Sequence, residues 1–207
     1  MLLEALGRWW AKQQCQLWLY GNPDSRPYIV SSNIATATAP ITFLKALGGG
    51  IRNSFLYGNP SGAAAVVLVR SSTISGNQAV NGGGLGNSTI QTPNSTASVL
   101  LGKSTMRDNI ALGQGDTLGN GGGIDNFNGL MLLVNSTVSG NEANGNGSST
   151  SGLGGGIVNG SWDVSAGLWL TNTTVSSGSL DVHTNQFQEC DHNRRRFKFY
   201  VNCHFVE

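Results

Sequence analysis

Charge is what this chain has least of. Asp, Glu, Lys and Arg together make up 11% of its 207 residues, less than half the share usual in globular domains, so there is little material for solvated helix faces. The formal net charge is +1, which leaves no global field to attract nucleic acid or an anionic membrane. Cysteine is nearly absent. The three present, Cys15, Cys190 and Cys203, lie outside the Gly-rich middle, which excludes a disulfide framework or a paired-Cys zinc motif as organiser of the fold. Long apolar runs are missing too: Glu4, Arg8 and Lys12 interrupt the first residues, so neither a signal peptide nor a membrane span is readable there. Between Tyr28 and Leu180 there is no histidine at all.

What is present in excess is glycine, 30 residues, with abundant Asn, Ser and Thr. These are arranged in repeats. A Gly-Gly-Gly-apolar-x-Asn unit occurs four times, at 48–53, 82–87, 121–126 and 154–159, and repetition at this period is the mark of a solenoid. A second unit, Ser-Thr-apolar-x-x-Asn, falls between the copies at 72–77, 104–109 and 136–141, with Thr173, Thr174 and Val175 as a degraded fourth. Each is preceded by a strand-forming run: 67–69, 99–101, 131–133 and 168–170.

The intervals from glycines to Ser-Thr are 24, 22, 15 and 19 residues, and those from Ser-Thr to the next glycines 10, 17 and 18. The shortest of each together make a circuit of 25 residues, on the order of 80 Å of strand, which suits one three-sided coil of a parallel β-helix. Longer intervals are then loops at the corners. Coils stacked about 4.8 Å apart place each residue above its counterpart. Val69, Leu101, Leu133 and Leu170 are expected to form one inward column, Ile74, Met106, Val138 and Val175 a second, and Ile51, Leu85, Ile124 and Ile157 a third. Asn53, Asn87, Asn126 and Asn159 are expected to stack as an amide ladder that satisfies corner backbone groups. The glycines permit coils to approach closely where a Cβ would collide.

The expected fold class is therefore all-β, a right-handed parallel β-helix of about four to five coils over residues 28–180. Residues 1–27 form a separate N-terminal segment, in which Leu2, Leu3, Leu6, Trp9 and Trp10 recur at helical spacing, which is read either as a capping helix for the first coil or as a mobile tail. Residues 181–207 are a non-repeat tail that carries all three His and the basic run 194–198; a run that short on a neutral protein reads as a solvated segment.

In its paired units the chain resembles the repeats of bacterial polymorphic membrane proteins and pectin-lyase-like β-helix passenger domains, whose motifs are Gly-Gly-Ala-Ile and Phe-x-x-Asn. The resemblance covers about 41–179. Here the first unit has Gly in place of Ala, and the second begins with Ile74, Met106 or Val138 rather than Phe. The resemblance implies a bacterial scaffold at the cell surface, outer membrane associated or released, with adhesion or display as its role. It implies no substrate.

The same fold hosts polysaccharide lyases and hydrolases, which need clustered carboxylates for calcium, a proton-abstracting base, or two carboxyls facing one bond. The acids of the middle are Asp108, Asp116, Asp125, Glu142 and Asp163, and the bases Lys45, Arg52, Arg70, Lys103 and Arg107. They fall at different places in the repeat, so stacking does not gather them, and no catalytic residue, cofactor or metal ligand is assigned. A partial polysaccharide-degrading enzyme is the alternative to a scaffold. The more pointed feature is Leu68, Leu100, Leu132 and Trp169, each flanked by inward positions and so expected to face outward as an apolar stripe. That stripe is the candidate binding surface for carbohydrate or another cell-surface protein; no nucleic-acid partner and no membrane span are expected. An ice-binding face would need an outward threonine ladder, and Thr36, Thr38 and Thr171 are too scattered to supply one.

Overall fold

The computed structural model describes residues 14–20, 29–35, 48–55, 64–89, 95–114, 119–145, 152–160, 166–176, 180–183 and 203–205. Among these every regular element is a strand, and every strand pairing is parallel. The chain is a right-handed parallel β-helix. Four sheets run along it. Sheet 1 contains Gln14–Tyr20, Ala64–Arg70, Thr96–Gly102, Leu130–Val134 and Gly167–Thr171; sheet 2 contains Ile29–Ser31, Thr73–Ser75, Thr105–Arg107, Thr137–Ser139, Thr173–Ser176 and Cys203–Phe205. Sheet 3 is narrow, made of Gln78–Ala79, Ile110–Leu112 and Glu142–Asn144. Sheet 4 contains Ile51–Phe55, Leu85–Thr89, Ile124–Phe127, Ile157–Gly160 and Leu180–His183.

The three coils that begin at Ala64, Thr96 and Leu130 visit sheets 1, 2, 3 and 4 in that order, while the coils that begin at Gln14 and Gly167 have no described strand in sheet 3. The advance is 32 residues from Ser72 to Ser104 and 32 again from Ser104 to Ser136. The expected 25-residue, three-sided circuit is thus too short. It took its two shortest intervals from different coils, and it had no place for sheet 3, whose strands of two and three residues carry too little pattern to be read as strands. The sheets also extend past the expected 28–180 span: Gln14–Tyr20 pairs with Ala64–Arg70, and Cys203–Phe205 pairs with Thr173–Val175. Leu2, Leu3, Leu6, Trp9, Trp10 and the basic run lie outside the described residues.

Three inward columns fill the interior as the repeat predicts. Val69, Leu101, Leu133 and Leu170 are in register and buried, as are Ile74, Met106, Val138 and Val175 and the series Ile51, Leu85, Ile124 and Ile157. Removing these aliphatic side chains from water, roughly 1.5–3 kcal/mol for each fully buried residue, drives the coil to close.

Corners are set by backbone conformation. Between sheets 1 and 2, Ser71, Lys103, Asn135 and Asn172 all adopt φ between 46° and 51°, a left-handed kink that turns the chain once per coil. Between sheets 3 and 4 the first glycine of each triplet takes the same region, with φ of 61° at Gly82 and 66° at Gly121, and a Cβ on Gly83 would run into the carbonyl oxygens of Ile110 and Gly122. Glycine is required there because two backbones occupy the space a side chain would need.

Candidate functional site

Two kinds of side chain stand in line along the solenoid, polar groups at the corners and apolar groups on the outside of sheet 1. The corner ladders are closed networks. Asn53 Nδ2 donates to Asn87 Oδ1 at 2.9 Å, Asn87 to Asn126 at 2.7 Å and Asn126 to Asn159 at 2.5 Å. The second amide hydrogen goes to the backbone, for Asn126 to the carbonyls of Gly129 and Gly167 at 3.1 Å each. A second ladder of the same design joins Asn33, Asn77, Asn109 and Asn141, every step 2.9 Å, and the backbone N–H of each also donates to the next Oδ1 at 3.0 Å. The last Asn of the Ser-Thr-apolar-x-x-Asn unit was the signal for it. Ser72, Ser104 and Ser136 form a third line, each hydroxyl donating to the carbonyl two residues back and accepting, in Ser104 and Ser136, the N–H of the preceding coil's serine. Amides and hydroxyls used this fully have no valence left for a ligand. These residues are architecture.

On sheet 1 Leu68, Leu100, Leu132 and Trp169 stand opposite one another in register, with Trp18 at the same position of the first strand. The column is not evenly open. Leu68 is buried at 6% exposure whereas Leu132 is 36% exposed. Leu130 and Val66, one row over, are exposed to a similar degree as Leu132. Trp169 is half-buried because its indole folds back across Gly167: a Cβ at 167 would lie 2.5 Å from Cη2 and 2.6 Å from Cζ3 of the ring, and 2.9 Å from Leu130 Cδ2. The open apolar side chains of this face are therefore Val66, Leu130 and Leu132, with the half-buried indole beside the last two.

The acids do not converge. Asp108 sits at the corner after sheet 2, where it pairs with Arg107 in the open; Glu142 is exposed on sheet 3 and accepts from Asn144; Asp125 is on sheet 4. Among the described residues no three His, Cys, Asp or Glu side chains approach closely enough to hold a metal. Asp116, Asp163 and Lys45 lie outside the described residues.

Asp125 is nevertheless unusual. Its row on the outer side of sheet 4 runs Arg52, Gly86, Asp125, Val158 and Asp181; Arg52 is half-buried and paired with Ser54, whereas Gly86, Asp125 and Val158 are buried, and so is Ser88 nearby. Burial without a charge partner disfavours the ionised form, and it pushes this carboxyl from 3.8 up to about 7. The hydroxyl of Ser88 is buried on the same face with no hydrogen-bond partner.

Sheet 2 carries the outward threonine ladder that was not expected: Thr73, Thr105, Thr137 and Thr174 are in register and half-exposed, beside Ser75, Arg107, Ser139 and Ser176. The long guanidinium of Arg107, paired with Asp108, stands up from the middle of that face and breaks it as a flat hydroxyl surface.

No known protein family, curated protein or solved structure matches the chain.

Proposed function

We propose that this chain is a non-catalytic β-helix scaffold of a bacterial cell surface, similar in its repeats to polymorphic membrane proteins and pectin-lyase-like passenger domains, and that it works by adhesion through the outer face of sheet 1. The observation that carries this reading is the apolar column on that face, in register over successive coils and open to water at Leu130 and Leu132. Exposed apolar groups that adjoin one another on a rigid surface are commonly contact sites. A scaffold is favoured over an enzyme by the scatter of Asp108, Asp125 and Glu142 over three parts of the coil, because bond cleavage in a glycan needs carboxyls converging on one point. Its partners on this reading are a surface carbohydrate or another surface protein, met outside the cell.

The test is retention of the labelled full chain on bacterial envelope fragments. Wild type is expected to be held and Leu132→Lys to be released, since a charge on the open face adds a desolvation cost to any apolar contact. Equal retention of the two proteins removes this face from the proposal, and no retention of wild type removes adhesion itself.

A further inference from the structure

Within that proposed contact face, one position is built differently from its counterparts. The row beside the stripe reads Gln16, Val66, Ser98, Leu130 and Gly167 from coil to coil. Four coils carry a side chain there and the fifth does not. Gly167 does not have positive φ, and the atoms that a Cβ would meet are the ends of the Trp169 and Leu130 side chains rather than backbone. The glycine is thus not demanded by the coil. What it does is leave the space into which the indole folds, so that the ring lies back over the strand beside Leu130 instead of standing away from the sheet.

We infer that Trp169, seated over Gly167 and flanked by Leu130 and Leu132, is a stacking platform for the pyranose rings of a neutral glycan; the inference rests on the contact-face reading above and names its ligand. A ring held back over a sheet offers an aromatic face to the C–H side of a sugar, an amphipathic contact of the kind that tryptophan makes well. Two further observations select this occupant. The only charged side chain among the described outward positions of sheet 1 is Arg70, one row beyond the stripe, so nothing at the platform matches an acidic polysaccharide. The open apolar side chains, each little more than a third exposed, amount to a few hundred Å² at most. That is short of the roughly 800 Å² per partner that a stable protein interface buries, while it is enough for one or two sugar rings. The glycan runs across the strands, along the line from Leu132 to Trp169.

Native affinity electrophoresis of the full chain tests this, in gels containing hydroxyethyl cellulose or glycol chitin and in a gel without glycan. At least one of the two glycans is expected to retard wild type. Trp169→Ala is expected to abolish the retardation and Trp169→Phe to keep part of it. Gly167→Val, which restores the side chain that other coils tolerate, is expected to weaken it at least fivefold while the urea midpoint stays at the wild-type value. Absence of retardation by both glycans overturns the inference, and so does retardation that Trp169→Ala leaves unchanged. If neither glycan retards the protein while envelope retention still depends on Leu132, the contact face stands and its ligand is not a neutral glycan. If both readouts fail, the contact face falls too.

Discussion

Sheets 1 and 4 come from the same repeat, and their inner faces are alike, yet their outer faces live in different surroundings. On sheet 1 the outward residues Val66, Leu130 and Leu132 are each at least 36% exposed. On sheet 4 the outward residues Gly86, Ser88, Asp125, Phe127 and Val158 of three successive coils are buried, and Arg52 and Ser54 of the coil before them are half-buried. Side-chain chemistry does not follow this difference: leucines stand in water on one sheet, and a carboxyl is enclosed on the other. The period of a solenoid dictates which way a residue points, since alternate strand residues face opposite sides. Whether the outward side is wet depends on what else the chain lays over it, and that is not periodic.

The largest effect is expected where both sheets depend on a common register. Gly83→Ala places a methyl against the carbonyl oxygens of Ile110 and Gly122, and neither backbone has room to retreat inside a stacked column. The loss is expected to exceed about 4 kcal/mol, read as a urea midpoint shifted to the point where the fold is barely populated. A wild-type midpoint for this variant means that the coils are not packed as tightly as the comparison requires.

Next in size is the contrast between faces. Val158→Glu sets a second carboxyl beside Asp125 in the same row, where neither has a cation next to it, and is expected to cost about 3–5 kcal/mol at pH 8, as a buried charge without a partner does. If the variant unfolds at the wild-type midpoint, that outer face is wet and the contrast disappears.

Asp125 sharpens the same contrast through pH. Its folded-state value of about 7 lies above the ordinary 3.8, so between those values the folded protein holds a proton that the unfolded chain has released. Stability is full below the unfolded value, drains as pH rises toward about 7, and is level beyond it. The total drain is on the order of 4 kcal/mol at most. Asp125→Asn is expected to abolish this slope, so that the urea midpoints of variant and wild type diverge between pH 4 and pH 8 in favour of the variant. Parallel curves mean that the carboxyl reaches water.

Much of this architecture was legible in the residues. The inward columns and the Asn53 to Asn159 series are spelled out by four glycine triplets, each followed by an apolar residue and an asparagine, because a stacked coil must repeat whatever it stacks. The Asn33 to Asn141 ladder was half visible, since Asn77, Asn109 and Asn141 close the second repeat unit while Asn33 stands outside it. Sheet 3 was not visible: Gln78–Ala79 is too short to show alternation. The strand Gln14–Tyr20 was hidden by its distance from the first repeat, and the threonine column by the shortness of the strands that carry Thr73, Thr105 and Thr137, three residues each. The seat of Trp169 on Gly167 was out of reach for a different reason. It depends on a side-chain rotamer, which no period encodes.

The smallest expected effect is also the one that separates the two outer faces most cleanly. Leu132→Lys replaces a side chain that is already 36% exposed, and a lysine there can lay its methylene stem over Leu100 and Leu130 while its ammonium stays in water. The inner neighbours Met131 and Leu133 carry the packing of that strand and are untouched. Stability is therefore expected to change by no more than about 0.5 kcal/mol, within the scatter of a urea titration, although the same substitution is expected to release the protein from an envelope. A loss comparable to that of Val158→Glu would mean that the column is covered at Leu132 as it is at Leu68, and the two sheets would then differ only in what covers them.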